Sequence, residues 1–476
     1  MYTQHTYQDW VAATTEDARR KLLLDVVRGY KNSEDFRTAL EANAYFQGDN
    51  TAVGGKVMLK PVAVETQDAR TGAVRKRTKM QEIIGNRVRS NFLFRFVTQQ
   101  NQHLLGNGVT LDTPEQKAKL GRGFDKALEY AGERALLHGV CWLYFNRDRV
   151  EVLPAATDGR SGCVALLDER SGEPAMLVQF WQLPGKLRPM HIRLFEADGV
   201  TEYRVERDVP ELLAEKRAYL MRTSKDAAGE WVTGAENYGR LPIVPLYASA
   251  ECRSELTPAI KSKIDLYDRI LSDFGDNLDR ANDVYWVLNN FGGTTADIAE
   301  MLTTISELKA VVNMSDGTGA ASTATQAAFE VPHEARRTAL ELLKKELYAD
   351  YMALDMDALT GGSLTNVAIQ AAKSNLGLKC DRFEWQCYTA VQQLLDLAGV
   401  VTEQIRFMRQ DISNRSETVQ DIQAMRADID LETALKLNPY IMPEEIDGIM
   451  ANVAAEQLTG RPTMGMLEKE LEGGGV

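Results

Sequence analysis

The sequence predicts an α+β fold that is mainly α, on two observations. Strand-like apolar runs cluster between about residues 140 and 250, with helical periodicity before them. After Ser254 the pattern changes to long segments with an apolar residue every three or four positions. The length of 476 residues suggests about two to four domains.

Ser33 is placed to cap a helix carrying Phe36, Ala39, Leu40 and Ala44 on one face. Residues 48–79 are largely polar, interrupted by "VMLKPVAV" and ending in "VRKRTK", and read as an exposed loop. In "KMQEIIGNRVRSNFLFRFVTQQNQHLLGNG", Ile84, Val88, Phe92 and Phe96 recur every four residues. That spacing predicts one amphipathic helix, with Gly106 as its stop. A helix from Phe124 to His138 leads into "GVCWLYF", and "VEVL" follows the turn "NRDR", which predicts a β-hairpin. Further strands are predicted at Ala175–Trp181, His191–Phe195, Val200–Val205 and Ala218–Arg222. The strand "LPIVPLYA" closes the series, its prolines suited to an edge or an end.

Thr257-Pro258 then sets a cap residue before a proline at the first helical position. From Ile260 through Ile264, Tyr267, Leu271, Phe274, Leu278, Ala281 and Tyr285 to Leu288, apolar residues recur at spacings of four and three. This heptad-like seam predicts a helix roughly 46 Å long at ~1.5 Å per residue. Off the seam the helix carries Asp265, Asp268, Asp276, Asp279 and Asp283. Asn289–Val331 has a short helical core between Gly-, Ser- and Thr-rich ends and reads as a compact insertion. Pro332 opens a second long helix, reaching Leu354. A third runs from about Asn366 to Ala398, with Val367, Ala371, Leu376, Phe383, Cys387, Val391 and Leu394 roughly on one face. Between the last two lies the loop "DMDALTGGSLTN". Short helices follow from Gly399, "PYIMPEEIDGIMANVAAE" among them.

Composition narrows the function. The net charge is -13, from 55 basic and 68 acidic residues, which does not suit a protein that coats DNA with a basic surface. An acidic surface does suit DNA sliding past without sticking. No apolar run approaches the ~18 residues that span a bilayer, and the N-terminus lacks a secretory apolar region. Five scattered cysteines suit a reducing compartment, and Cys380 and Cys387 share a predicted helix face as small core residues.

No enzyme signature emerges. The Gly-Lys pairs at Gly55-Lys56 and Gly185-Lys186 continue with Val57 and Leu187, so neither is a phosphate-binding loop. The five histidines are scattered, and no G-x-S-x-G elbow occurs. Asp355 and Asp357 form an Asp-x-Asp that could ligate a divalent ion, although an exposed acidic loop is the plainer reading. The seam of the first long helix needs apolar partners. The helix after Pro332 supplies one face, and either a neighbouring subunit or a monomeric helical domain would supply the rest.

The order and wording of these segments resemble the portal proteins of tailed bacteriophages, in the siphophage branch. "NAYFQGDN" resembles the family's early aromatic-x-Gly segment, and "NRVRSNFLFRFVTQQNQHLLGNGVTL" its helix ending in a Leu-Leu-Gly turn. "ALEYAGERALLHGVCWLYF" resembles its helix-to-strand step, and "GRLPIVPLYAS" the strand closing its first domain. "IKSKIDLYDRILSDFGDNLDRANDVYWVL" is the closest match, to a helix patterned Asp-x-Tyr-Asn-x-x-x-Ser-Asp, with Asp268 where asparagine is usual. "LTNVAIQAAKSNLGLKCDRFEWQ" resembles the helix after the family's central loop, with Thr365-Asn366-Val367-Ala368 where Ser-Gly-x-Ala is common.

The resemblance implies a portal fold: wing (1–256), first stem helix (257–288), clip (289–331), second stem helix (332–354), tunnel loop (355–366), long wing helix (367–398) and helical crown (399–476). It implies a ring of about twelve copies at one capsid vertex, a non-enzymatic channel for double-stranded DNA during packaging and ejection. The implied partners are the large terminase, head-completion and adaptor proteins, and the major capsid and scaffolding proteins. No cofactor, metal or membrane is implied. The protein would be made in the host bacterial cytoplasm and end in the virion. Asp355, Met356, Asp357, Leu359, Thr360, Gly361 and Gly362 would form the tunnel loop facing DNA. Asp276, Asp279, Asp283, Lys344 and Lys345 are candidates for the channel lining. Phe291, Asp297, Met301, Glu307 and Asp316 are candidates for docking at the clip. The alternative is a metal- or nucleotide-dependent enzyme using Asp355 and Asp357.

Overall fold

The computed structural model describes residues 3–67, 74–185, 188–225, 231–281, 285–289, 323–327, 333–359, 366–409, 415–425, 429–438 and parts of 441–454. The chain divides into two compact units, Met1–Met352 with Cys380–Met408, and Ala353–Lys379 with Arg409–Val476. Helix and strand both contribute, so the α+β class holds.

The first unit opens with helices α1 (Tyr7–Ala12), α2 (Glu16–Lys31) and α3 (Glu34–Phe46). Ser33 caps α3, its hydroxyl accepting the Phe36 N–H at 3.1 Å, as its sequence position predicts. The polar stretch expected to be a loop is instead a hairpin, β1 (Val57–Gln67) and β2 (Val74–Ile84), in register from Val57 opposite Ile84 to Gln67 opposite Val74. Its Val-, Thr- and Ile-containing runs favour strands, which charge and Gly content obscure.

Helix α4 spans only Phe92–Leu105. Ile84 ends β2 and Val88 lies in the irregular segment between, so the four-residue spacing joined three separate elements. Then come β3 (Val109–Thr110), α5 (Pro114–Ala118) and α6 (Phe124–His138), the last with the predicted bounds. Gly132 of α6 lets α4 come close, for a Cβ there would meet Asn101 Oδ1 at 2.4 Å and Leu105 Cδ1 at 2.6 Å.

Strands β4 (Val140–Asn146) and β5 (Arg149–Pro154) form the expected hairpin, joined by β14 (Ile243–Tyr247) in the order β14-β4-β5. A six-stranded antiparallel sheet runs β11-β10-β9-β8-β7-β6. Its strands are β6 (Ala156–Asp158), β7 (Ser161–Leu167), β8 (Pro174–Gln182), β9 (Met190–Glu196), β10 (Gly199–Glu206) and β11 (Val209–Arg217). A separate hairpin pairs β12 (Leu220–Lys225) with β13 (Trp231–Glu236).

This sheet is buried on both faces. Val164, Leu166, Val178 and Phe180 pack against Leu23, Val27, Tyr30 and Phe36 of α2 and α3. Cys163, Ala165, Leu177 and Phe195 pack on the other side, with Trp142, Tyr144 and Tyr219. A strand buried on both faces shows an apolar run rather than alternation, which is why β7 was not legible.

Helix α7 (Pro258–Ala281) begins where predicted, with the Thr257 hydroxyl accepting the Ile260 N–H at 3.3 Å. It does not continue to Leu288. Residues Tyr285–Asn289 form β15, antiparallel to β16 (Thr323–Ala327). The run Tyr285-Trp286-Val287-Leu288 is aromatic and β-branched, which favours strand over helix. Helix α8 (His333–Tyr351) follows, then α9 (Asn366–Leu397). On α9, Cys380, Phe383, Cys387, Val391 and Leu394 are buried, while Ala371 is exposed. Strand β17 (Arg406–Phe407) pairs with β3, so residues 399–408 fold with the first unit.

The second unit contains the 3-10 turn Met356–Leu359, α10 (Arg415–Ala424) and α11 (Leu431–Leu437). Asp430 caps α11, accepting the Thr433 N–H at 3.2 Å. Ile422, Ala434 and Ile446 are buried within it.

Candidate functional site

The two long helices α7 and α8 lie antiparallel. Lys263 reaches Asp350 at 2.7 Å and Glu346 at 3.1 Å, while Arg336 donates to the Asp273 carbonyl at 3.3 Å. The predicted seam is covered only at its base. Ile260 and Ile264 are buried, Tyr267, Leu271 and Phe274 are half-buried, and Leu278 is 49% exposed. At the base, α4 supplies the partners: the Phe92 ring meets Tyr267 at 5.0 Å, and Phe96 stacks on Tyr351 at 4.6 Å. Tyr351 donates to Gln100 Oε1 at 2.9 Å, and the Cys380 thiol approaches the Gln100 carbonyl at 3.6 Å, so one buried glutamine ties α8 and α9 to α4. Farther out, a groove of about 390 Å³ opens between α7 and α8, lined by Leu271, Phe274 and Leu340 together with Arg336, Arg337 and Lys344.

A second face of α7 is polar and also covered. Asp268 and Ser272 are fully buried, and Asp276 nearly so. Three backbone N–H groups of the segment before α4 are bound in sequence. Ser90 donates to Asp268 Oδ1 at 2.8 Å, Val88 to Ser272 Oγ at 3.0 Å, and Asn86 to Asp276 Oδ1 at 2.6 Å. Four helical residues rise ~6 Å and two extended residues ~6.6 Å. An extended segment antiparallel to a helix therefore meets every fourth side chain with every second N–H. The ladder extends both ways: the Tyr45 hydroxyl donates to Asp265, and the Asn86 amide to Asp279 at 2.7 Å. Gly275 lets the segment approach, for a Cβ there would sit 3.2 Å from Asn86 Cγ.

The ladder sets opposite electrostatics at two carboxylates. Burial raises the Asp268 carboxyl, against the opposing hydrogen bonds from Asn50 and Ser90. Burial also pushes Asp276 up, but Lys56 at 2.6 Å and the Asn86 N–H outweigh it and hold the group below the usual carboxylate range. Lys56 also meets Asp273 at 2.7 Å.

Asp276 is held by Lys56 and Asn86, and Asp279 is exposed apart from its Asn86 contact. Lys344 is half-buried with its ammonium 5.9 Å from the Tyr348 ring, and Lys345 is exposed. Asp355 Oδ1 accepts the Asp357 N–H at 3.1 Å, so this carboxylate caps the short 3-10 turn. Met356 is 52% exposed, Asp357 is exposed, and Leu359 ends the turn. Thr360, Gly361, Gly362 and Asp283 lie outside the described residues, as do Phe291, Asp297, Met301, Glu307 and Asp316. The strands β15 and β16 bring the two ends of that insertion together.

Sequence reasoning missed Ser272 as a rung of the ladder, and Lys56 and Asn86 as partners of the aspartates. A signal was present: positions 265, 268, 272, 276 and 279 repeat with the same three-four spacing as the apolar seam, marking a second covered face. Among the described residues, no group of three or more His, Cys, Asp or Glu side chains is placed to hold a metal. No helix among them is long and apolar enough to cross a membrane.

Two relatives share parts of this chain. The portal protein of Clostridium phage phiCD119 is 29% identical over 166 residues, 35% of this chain and 36% of its own length. The portal protein of Bacillus phage SPP1 is 28% identical over 228 residues, 44% of each chain. The chain thus matches less than half the length of either relative. The model of one family, "Phage portal protein, SPP1 Gp6-like", matches residues 29–457. With nearly its whole length matched, the chain belongs to the SPP1 Gp6-like family of phage portal proteins.

Proposed function

We propose that this protein forms a ring of about twelve copies at one capsid vertex, around a channel that passes double-stranded DNA. The family match over residues 29–457 carries this reading. The packing of α7 and α8 supports it: their shared apolar groove and the exposed Leu278 and Leu342 suit a neighbouring copy. In this reading α7 and α8 are the stem, residues 289–331 the clip, residues 355–366 the tunnel loop, α9 the long wing helix and the later helices the crown. The wing is the first-unit α+β body. Asp355, Met356 and Asp357 face DNA, and carboxylates there repel phosphate and favour sliding. Lys345 and Asp279, both exposed, line the channel with Lys344. The clip engages the large terminase and then the head-completion and adaptor proteins, and the body contacts capsid and scaffolding proteins. The role is structural, with the packaging motor on a separate chain.

Immunogold labelling of intact virions tests the placement. One labelled vertex per particle is expected, at the tail end. Label spread over the shell, or absent from purified particles, would contradict it.

A further inference from the structure

We propose that a cavity between the β4–β5 turn and the outer strands of the six-stranded sheet binds a compact phosphate-bearing anion through Arg147, Arg149, Arg193 and Arg217. The cavity holds about 610 Å³ and is lined by all four arginines. That is a local reversal of sign in a chain of net charge -13.

The arrangement is only half neutralised. Arg193 Nε and Arg217 converge on one oxygen of Glu202, at 3.1 and 2.8 Å. Arg149 pairs with Glu151 at 2.7 Å. Arg147 makes no ion pair among the described residues. Four arginines therefore face two glutamates. Two guanidinium groups held on one carboxylate oxygen repel each other, and each keeps further N–H donors for a second acceptor. A second anion in the cavity relieves that repulsion.

Arg193 is the fixed donor, while Arg149 and Arg217 reach in from more open positions, 67% and 61% exposed. Arg193 is 30% exposed, with its guanidinium 5.4 Å from the Trp181 ring and 6.0 Å from Phe195. Arg147 sits at φ 63° in the β4–β5 turn and lines the cavity. Tyr144 also lines the cavity; burial pushes its hydroxyl up to about 12, so it stays protonated and can donate.

The shape and charge select the ligand. Four guanidinium groups with spare planar forks suit a phosphate group of two or more charges better than a single carboxylate. A duplex would need basic residues spread along a face rather than gathered in a concavity. The shared chemistry is a terminal phosphate or pyrophosphate, either free or at the end of a nucleic acid strand. This inference does not depend on the ring.

Isothermal titration calorimetry of the full chain with pyrophosphate at low salt tests it. One site per chain is expected, with affinity falling at least tenfold in an Arg149→Gln, Arg217→Gln double variant. Arg147→Asn keeps a residue tolerated at positive φ. It should still weaken binding severalfold, and it carries the test should the double variant not fold. A 5′-phosphorylated single-stranded oligonucleotide, compared with its unphosphorylated form and with free pyrophosphate, separates the two sources. No binding of pyrophosphate at millimolar concentration, or equal affinity in wild type and variants, would overturn the proposal. Binding of polyglutamate without pyrophosphate would also overturn it, and would assign the cavity to an acidic peptide.

Discussion

The fully buried Asp268 of α7 accepts the backbone N–H of Ser90 at 2.8 Å. It also accepts the Asn50 amide, so one carboxylate joins a helix to two distant segments. Asp268→Ala strands the Ser90 N–H and leaves the Asn50 amide only its bond to the Ser90 carbonyl at 2.9 Å, and the segment 86–90 should loosen by about 2 kcal/mol, near thirtyfold in amide exchange protection. Asp268→Asn keeps an acceptor and removes a buried charge, so its cost should stay within about 1 kcal/mol. Exchange mass spectrometry of peptides covering 85–91 reads both. Equal loss in the two variants would contradict this account of the ladder.

Asp276 and Asp268 should titrate with opposite signs. The lowered Asp276 group contributes stability above the usual carboxylate range, lost as pH falls through its folded value. The raised Asp268 group does the reverse: its contribution is present below the usual range and lost as pH rises through its folded value. Asp276→Asn should therefore cost most near about pH 7 and progressively less as pH falls below the usual carboxylate range, whereas Asp268→Asn should be most favourable relative to wild type near about pH 7. Urea midpoints measured at neutral pH and below the usual carboxylate range check the crossing.

Gly132→Ala sets two effects against each other. Alanine favours the helix by about 1 kcal/mol. The new Cβ would lie 2.4 Å from Asn101 Oδ1, whose amide donates to the Glu129 carbonyl at 2.8 Å. Overpacking of about 1–3 kcal/mol should win. A lowered melting temperature is expected, and an unchanged or raised one would show that α4 yields without cost.

In the proposed channel the acidic turn faces DNA. Asp355→Lys with Asp357→Lys replaces repulsion by attraction toward phosphate and should slow DNA packaging severalfold. An unchanged rate in a packaging assay would remove these residues from the channel.

Much of this fold was legible because its signals are local. Ser33 and Thr257 announce helix starts, and the α6-to-β4 step and the α9 face follow from periodicity. The misreadings came where local signals conflict with context. The hairpin of residues 57–84 is polar, β7 is buried on both faces, and Tyr285–Leu288 continued the seam spacing although its residues favour strand. The aspartates of α7 were visible as a pattern, but their partners were not. Lys56, Asn86 and Ser90 lie about 180–220 residues away in sequence, and only tertiary contact joins them.

The proposed assembly is a closed ring. Electron microscopy of the purified protein, averaged in end-on views, tests it most directly. Closed rings of about twelve or thirteen subunits with a central hole are expected. Monomers or dimers at every salt condition, with no channel in any class average, would contradict it.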